Sequence, residues 1–382
     1  MMRLSRFLLL LPLLVVIAAC SSSPKAPKPG PLPDLPAERV QLDRVWKAQV
    51  GNGPEALLQL RPSITAQQIV AASHDGVLSA LDAETGKVQW RIKTKLPFTA
   101  GPAAGYGVVV VGTGKGELLA YNATNGELRW KVQLGAGVHA APVVMADRVA
   151  VLTSDGVVHM LNSATGEQHW TYSTPVPPLS LRGSAGPVAV GSHLLVPTAA
   201  GKVLSLDAES GVVEWDTRVA TNTGRSELER MVDIQGELLL DGDSSLYSVG
   251  FQSQLAALSV QDGRRRWQFD VSSVHSLAAG LGNVYVVDTG STVIALDHES
   301  GKPVWKQPDL AWRGIINPVV LGPVLVTGDA KGYAHILSQS DGTALGRERL
   351  VRSGLVSLSV QGDLLYTWSA NGVLGAWKIR SR

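Results

Sequence analysis

The sequence has 382 residues, is rich in Gly, Val and Leu, and has no long charged or apolar run after position 20, which suits a large soluble all-β domain. Removing Arg3 and Arg6 from the 34 basic residues leaves 32, equal to the number of acidic residues, so the composition gives no indication of a nucleic-acid partner. The lone cysteine, Cys20, excludes an intrachain disulfide and a multi-cysteine metal site.

The first nineteen residues have the order of a secretory signal peptide. Arg3 and Arg6 form a basic start, an apolar run follows at 7–17, and two alanines precede Cys20. The run 17–20 (IAAC) also fits a bacterial lipobox, in which the cysteine is lipidated and becomes the mature N-terminus. We therefore expect residues 1–19 to be a lipoprotein signal peptide and Cys20 the lipidation site. The alternative is a plain signal peptide with a chance cysteine.

Residues 20–39 follow as a predicted tether. Six of the sixteen residues from Ser21 to Pro36 are proline, and such a segment has too few apolar residues for a core and stays extended. A lipid on Cys20 would attach this tether to a membrane. Ser21 stands where an aspartate favours inner-membrane retention in enteric bacteria, so we expect an outer-membrane location with the protein facing the periplasm.

The rest of the chain, 40–382, is dominated by a repeat. Each of seven units is eleven residues long with glycine at its seventh position, and six of the units end in tryptophan. The spacings between the glycines are 40, 40, 45, 52, 38 and 41 residues, which is the size of one four-stranded propeller blade. The units are ALDAETGKVQW (80–90), AYNATNGELRW (120–130), MLNSATGEQHW (160–170), SLDAESGVVEW (205–215), ALSVQDGRRRW (257–267), ALDHESGKPVW (295–305) and ILSQSDGTALG (336–346).

The blade count predicted from these units is eight. The last segment, 371–378, resembles the third strand of a blade but has no fourth strand after it, whereas 43–51 resembles a fourth strand with no third strand before it. Pairing the two completes a blade and removes the open edges of the ring. The sequence thus predicts an all-β, eight-bladed β-propeller of four-stranded antiparallel blades, closed by its N- and C-terminal strands.

Two sets of repeated residues are interpreted as structural. Seven tryptophans recur with the period of the blade, which favours packing between neighbouring blades over an aromatic binding surface. Acidic and amide residues at the turns can cap the backbone of their own turn. The tryptophans are Trp46, Trp90, Trp130, Trp170, Trp215, Trp267 and Trp305, and the turn residues are Asp82, Asn122, Asn162, Asp207 and Asp297.

The period is broken at two places, both after the fourth strand of a blade. The interval Trp170–Trp215 exceeds 40 residues by five and Trp215–Trp267 exceeds it by twelve. Insertions in a repeat protein map to loops, and loops after fourth strands emerge on one face. We therefore expect 173–184 and 217–233 to form a composite surface.

These two loops carry the candidate interface residues. Leu179, Leu181 and Arg182 belong to the first loop and Arg230 and Asp233 to the second. Leucine, methionine and arginine on exposed loops are suited to a protein-binding hot spot. The alternative is that the leucines fold back onto their own blade.

The sequence contains no recognisable set of catalytic residues. The eight histidines are scattered without a metal-ligand pair on one element, no G-x-S-x-G elbow occurs, and the glycines are explained by turns rather than by a phosphate loop.

The repeat A-x-D/N-x-x-T/S-G-x-x-x-W resembles that of the eight-bladed quinoprotein alcohol dehydrogenases. That resemblance implies a quinone cofactor, a calcium site and a bridge between adjacent cysteines. With one cysteine, already assigned to lipid, the bridge cannot form. We expect no cofactor, no metal and no catalysis.

The whole chain, from lipobox through proline-rich tether to cofactor-free blades, resembles the propeller lipoproteins of the Gram-negative outer-membrane β-barrel assembly machinery. The most specific stretches are LSLRG (179–183), GRSELERMVD (224–233) and GDAKGYAHIL (328–337). In that family, residues of the first two stretches contact the periplasmic domains of the barrel subunit BamA. The resemblance transfers this role to Leu179, Leu181, Arg182 and Asp233, whereas Gln235 replaces a second acidic residue common in the family.

The predicted function is accordingly a non-catalytic, lipid-anchored scaffold of the barrel assembly complex, which binds BamA and assists the folding and insertion of outer-membrane proteins. Unfolded outer-membrane proteins are a further candidate partner. The alternatives are a quinone-dependent periplasmic dehydrogenase and a generic propeller that binds other proteins or the cell wall.

Overall fold

The computed structural model describes residues 30–35, 38–54, 60–179, 185–220 and 232–381. In these ranges the chain forms eight four-stranded antiparallel sheets, and no helix is present. None of the described residues lies in a helix with the length and hydropathy needed to cross a bilayer. The predicted all-β class and the eight-bladed propeller are confirmed.

The first four blades follow the chain without a crossover. Blade 1 is β2 (Ser63–Ile64), β3 (Gln68–Ala72), β4 (Val77–Asp82) and β5 (Val88–Lys93). Blade 2 is β6 (Phe98–Gly105), β7 (Val108–Thr113), β8 (Glu117–Asn122) and β9 (Leu128–Gln133). Blade 3 is β10 (Val143–Val144), β11 (Arg148–Leu152), β12 (Val157–Asn162) and β13 (Gln168–Ser173). Blade 4 is β14 (Val188–Val190), β15 (His193–Pro197), β16 (Lys202–Asp207) and β17 (Val213–Arg218).

The remaining blades complete the ring in the same order. Blade 5 is β18 (Leu239–Asp241), β19 (Ser245–Val249), β20 (Gln254–Ser259) and β21 (Arg265–Asp270). Blade 6 is β22 (Ala278–Gly280), β23 (Asn283–Val287), β24 (Val293–Asp297) and β25 (Pro303–Gln307). Blade 7 is β26 (Val319–Leu321), β27 (Val324–Gly328), β28 (Tyr333–Ser338) and β29 (Ala344–Arg349). Blade 8 is β30 (Leu355–Gln361), β31 (Leu364–Ser369), β32 (Val373–Ser381) and β1 (Val40–Gln49).

Ring closure joins the two ends of the chain. Strand β1 pairs antiparallel with β32 from Val40 opposite Ser381 to Gln49 opposite Val373, with one irregularity between Arg44 and Trp46. The predicted pairing of the N-terminal strand with the C-terminal strand is therefore confirmed.

The core lies between blades rather than within one. Each of the eight apolar clusters of described residues combines side chains from two neighbouring blades. Second and third strands are buried over nearly their whole length because both sheet faces are covered, whereas fourth strands bury little more than their central residue.

The recurring tryptophans join each blade to the next, as predicted. Each indole Nε1 donates to a turn carbonyl of the following blade at 2.7 to 3.3 Å. Its ring lies on the turn glycine of that blade, where an added Cβ would come within 2.4 to 2.9 Å of the indole. The pairs are Trp46 with Gly86, Trp90 with Gly126, Trp130 with Gly166, Trp170 with Gly211, Trp215 with Gly263, Trp267 with Gly301 and Trp305 with Gly342.

The turns that contain these glycines are capped by the predicted residues. Asp82, Asp207 and Asp297 each accept a hydrogen bond from the backbone N–H three residues later, and Asn122 and Asn162 accept equivalent bonds from N–H groups two residues later. These polar side chains therefore have a structural explanation within their own turns.

Candidate partner-binding face

One face of the propeller, here called the connection face, carries the segments that run from the fourth strand of one blade to the first strand of the next. Strand direction alternates within a blade, so the turns between second and third strands lie on this face as well. The connections after β13 and β17, residues 174–187 and 219–238, are the longest of the ring. This agrees with the two loops chosen by period counting. The others are 50–62, 94–97, 134–142, 271–277, 308–318 and 350–354.

The two long connections are neighbours in space. The amide of Ala185, near the end of the first, donates to the carbonyl of Ile234 in the second at 3.0 Å. Both residues are buried in the apolar cluster between blades 4 and 5. The described ends of the two connections are therefore joined inside this cluster.

Of the candidate residues on the first connection, Leu179 is described and exposed, with 47% of its surface accessible. Val176 of the same connection is 38% accessible. Leu179 does not fold back onto its blade, which is the arrangement that an interface requires. Leu181 and Arg182 lie outside the described residues, as does Arg230 of the second connection.

Asp233 departs from the expectation that its side chain lies on the surface. Its accessible fraction is 0%, and Gln235 is also buried at 6%. The physical reason is that the chain passes through the interior here: residues 232–236 are all buried, and Ile234 belongs to the apolar cluster between blades 4 and 5. Its carbonyl accepts from the amide of Phe251 at 2.9 Å, so this part of the connection is held against blade 5. A direct contact of Asp233 with a partner remains a prediction.

Arg61 fixes the second long connection from across the ring. It belongs to the connection between β1 and β2, yet its Nη1 lies 3.2 Å from a carboxylate oxygen of Glu237 and donates to Ser276 Oγ. These residues line a cavity of about 480 Å³ at the first strands of blades 5 to 8. Sequence reasoning missed this contact because no local pattern connects groups 215 residues apart.

A second feature of the connection face is the segment 308–318 between blades 6 and 7. Trp312 is 48% exposed and has a positive φ of 60°, which is rare for a bulky residue. The next residue, Arg313, is buried and donates from Nε and Nη2 to Asp329 Oδ2 at 3.1 and 2.7 Å. Buried His335 places Nε2 3.1 Å from the same oxygen. Asp329 and His335 lie in the stretch 328–337 that carries the family resemblance, but the repeat period does not single out Arg313, because the segment 308–318 does not lengthen its repeat.

The surroundings of Asp329 keep its carboxylate ionised. Burial alone would raise the pKa of Asp329, but hydrogen bonds from His335, Arg313 and two backbone amides outweigh it and lower the pKa to about 2. Burial lowers the pKa of His335, although the bond to Asp329 opposes this effect. At neutral pH the imidazole is therefore neutral and donates its Nε2–H to an ionised Asp329.

Part of the predicted tether lies against blade 7. Arg313 Nη1 donates to the carbonyl of Gly30 at 3.1 Å, and Arg347 Nη1 donates to that of Pro33 at 2.7 Å. Residues 30–35 of the predicted tether therefore contact the propeller through these two carbonyls. Strand β1 begins at Val40, where the sequence placed the start of the propeller.

Metal binding has no geometric support in the described part of the chain, where no three His, Cys, Asp or Glu side chains are grouped closely enough to hold an ion. Cys20 lies outside the described residues.

Comparison with known proteins gives one consistent family. Residues 74–307 and 290–381 match the family model described as outer membrane protein assembly factor BamB. A protein of that name from Pseudomonas aeruginosa is 49% identical over 374 residues, covering 97% of this chain and 98% of the relative.

Solved structures agree with this comparison. The crystal structure of BamB from Moraxella catarrhalis superposes with a TM-score of 0.82 at 30% identity, covering 88% of this chain and all of that one. The quinohemoprotein alcohol dehydrogenase from Comamonas testosteroni, at 13% identity and a TM-score of 0.69, covers 88% of this chain and 76% of its own. At that identity the second likeness concerns the fold alone.

Proposed function

The chain belongs to the BamB family of outer membrane protein assembly factors, and on this basis we propose that it is a non-catalytic scaffold that binds the periplasmic domains of BamA. In this role it assists the folding and insertion of outer-membrane proteins. A lipid on Cys20 holds the protein on the periplasmic side of the outer membrane.

The observation that carries the proposal is the pairing of the two longest connections on one face. They are joined by the hydrogen bond between Ala185 and Ile234, and the first of them presents Leu179 to solvent. An exposed leucine can serve as an apolar anchor that a partner buries on binding. Leu179 and Leu181 would supply apolar anchors, and Arg182 and Arg230 would donate to carboxylates or carbonyls of BamA.

A scaffold rather than an enzyme is supported by the single cysteine of the sequence. The quinoprotein enzymes to which the repeat is similar hold their cofactor with adjacent cysteines, and this chain has one cysteine, which we assign to the lipid. The family membership supports the same assignment.

The test is capture of BamA periplasmic domains by the full-length protein in mild detergent. We expect Leu179→Ala/Leu181→Ala and Arg182→Glu each to weaken binding by roughly 30-fold to several-hundred-fold, because truncating a central anchor costs about 2–4 kcal/mol. Circular dichroism should show an unchanged fold.

The matched control is Leu281→Ala. Leu281 is 69% exposed in the turn between β22 and β23, on the face opposite the connection face. The Leu281→Ala variant should bind BamA as the wild type does. If Leu281→Ala releases BamA while the Leu179 and Arg182 variants retain it, the partner site is on the other face.

A further inference from the structure

Residues 30–35, with the sequence GPLPDL, contact blade 7 through their backbone carbonyls. Proline has no N–H group, so a proline-containing extended segment presents mainly carbonyl oxygens to its surroundings. Two guanidinium groups meet these acceptors, Arg313 at Gly30 and Arg347 at Pro33. The contacts recognise an extended backbone and lie three residues apart along it.

The first of these donors is held in position by the interior of the protein. Arg313 is only 6% exposed and uses Nε and Nη2 on Asp329, which leaves Nη1 for Gly30. Asp329 is itself fixed, because its Oδ1 accepts from the amides of Lys331 and Tyr333 and its Oδ2 faces His335. A donor fixed in this way loses little conformational freedom when the segment docks.

An apolar cavity of about 230 Å³ accompanies the polar contacts. The docked segment contributes Pro33 and Leu35 to its wall, and the propeller contributes Leu310, Leu337 and Ala344. Gly346 also lines it, at the position where the fourth strand of every other blade has a tryptophan. There a Cβ would come within 2.0 Å of the Val40 carbonyl, so this glycine is needed for the chain to enter β1.

We propose that blade 7 contains a binding cleft for a proline-containing extended peptide, and that residues 30–35 of the chain itself occupy this cleft as a strap. If Cys20 carries the lipid, as the proposed function assumes, only ten residues of sequence separate the lipid from the docked Gly30. Ten residues reach at most roughly 33–36 Å when fully extended. Gly30 lies beside Ala311, which precedes exposed Trp312. The strap therefore turns the connection face at blade 7 toward the membrane anchor.

Docking of the strap is tested by cysteine pairs in the full-length protein, independently of the anchor. Asp34 and Thr343 are exposed residues on the wall of the same cavity. Asp34→Cys/Thr343→Cys should form an intramolecular disulfide under mild oxidation, detected by mass spectrometry. Glu167→Cys replaces Thr343→Cys in the control, since Glu167 is exposed and follows the turn glycine of blade 3 as Thr343 follows that of blade 7.

The control pair should remain reduced, and Arg347→Ala should lower the yield of the first pair several-fold. Equal yields for the two pairs, or a yield that Arg347→Ala leaves unchanged, would overturn the docked strap.

Orientation is tested by energy transfer to an acceptor lipid in vesicles of phosphatidylethanolamine and phosphatidylglycerol. Lys331→Cys and Ser154→Cys place donor dyes on exposed turns between second and third strands, in blades 7 and 3, on opposite sides of the ring. We expect at least twofold greater transfer from position 331, and Arg347→Ala should reduce the difference. A protein that does not float with the vesicles refutes the anchor, whereas a floating protein with equal transfer from both positions refutes the orientation that we infer from the strap.

Discussion

At the scale of single residues, the turn glycine and the tryptophan of the repeat form one contact between consecutive blades. Gly301 has a φ of 68° and lies under the ring of Trp267, whose Nε1 donates to His298 one turn away. The glycine is thus required both for the backbone of its own turn and for the approach of the preceding blade. This double requirement explains why the two residue types recur together in the sequence.

A pair of alanine substitutions separates these two requirements. Gly301→Ala should lose about 1–2 kcal/mol of unfolding free energy to the left-handed backbone and about 1–3 kcal/mol more to overpacking, since its Cβ would lie 2.5 Å from the indole of Trp267. Gly362→Ala, at a φ of 60° with no atom within 4 Å of the added Cβ, should show only the backbone cost. Urea unfolding midpoints measure the stability of both variants. Equal losses in Gly301→Ala and Gly362→Ala would mean that the indole of Trp267 moves aside freely.

The buried ion pair of blade 7 predicts a pH dependence of stability. The pKa of Asp329 is lowered from 3.8 to about 2 in the folded protein, so its contribution is fully present above about pH 4 and is lost as the pH falls toward 2. Asp329→Asn leaves Arg313 buried without its carboxylate and should cost about 3–5 kcal/mol at neutral pH. Thermal melts between pH 2 and 7 should show a shallower acid limb for this variant.

Asp288→Asn is the control for that change. Asp288 Oδ1 accepts from the amides of Gly290 and Thr292, as Asp329 Oδ1 does from amides two and four residues later, but the described residues give it no ion pair. Asp288→Asn should lower the free energy of unfolding by about 1 kcal/mol. A loss as large as that of Asp329→Asn would show that the turn, not Arg313, carries the effect.

The contacts of residues that recur in every blade could be predicted from the sequence, whereas the contacts of residues that occur in a single connection could not. The tryptophans and turn caps recur in register with the blades, so their partners follow from the period. Asp233, in contrast, falls in a segment that the repeat period predicts as an exposed loop, but residues 232–236 are all buried in the folded chain. The contact between Arg61 and Ser276 depends on where the ring places two distant connections, which only the folded chain determines.

At the scale of elements, β1 is the strand on which closure depends. Trp46 of this strand is 7% exposed, packs on Gly86 and Tyr366, and donates to Ala83 of blade 1 at 3.1 Å. The strand therefore ties blade 8 to blade 1 through its side chains as well as through its pairing with β32.

Changes in β1 should destabilise the protein in proportion to the inter-blade contacts and strand pairing that they remove. Trp46→Ala should cost about 3–5 kcal/mol of stability, and deletion of residues 40–51 should cause misfolding or aggregation because β32 is left as an open edge. Val45 is 43% exposed, so Val45→Ala should change the melting temperature little. A deletion variant that melts at the wild-type temperature would show that the ring is closed elsewhere.

Connections were predictable in length but only partly in structure. Counting residues against the period located loops at 173–184 and 217–233, which overlap the connections 174–187 and 219–238, because insertions there add to the interval between tryptophans. The segment 308–318 adds nothing to the interval, so its exposed Trp312 and buried Arg313 left no trace in the spacing. Length shows where a loop is unusual, whereas side-chain burial depends on the neighbouring blade.

At the scale of the whole molecule, we propose that attachment to the membrane rests on Cys20. Cys20→Ala should abolish labelling with palmitate and move the protein from the membrane fraction to the soluble fraction, because no acyl chain remains to insert. Circular dichroism should remain that of a folded propeller. Labelling of Cys20→Ala at the wild-type level would place the lipid elsewhere in the chain.

Closure of the ring by both chain ends also sets the order of events when the protein is made. Strand β1 is synthesised first, yet its partner β32 emerges roughly 320 residues later, which takes on the order of 16–65 s at about 5–20 residues per second. Until β32 has been made, β1 cannot form the pairing that completes blade 8. A chain that stops before Val373 lacks β32, so it cannot complete blade 8 and leaves both edges of the ring open.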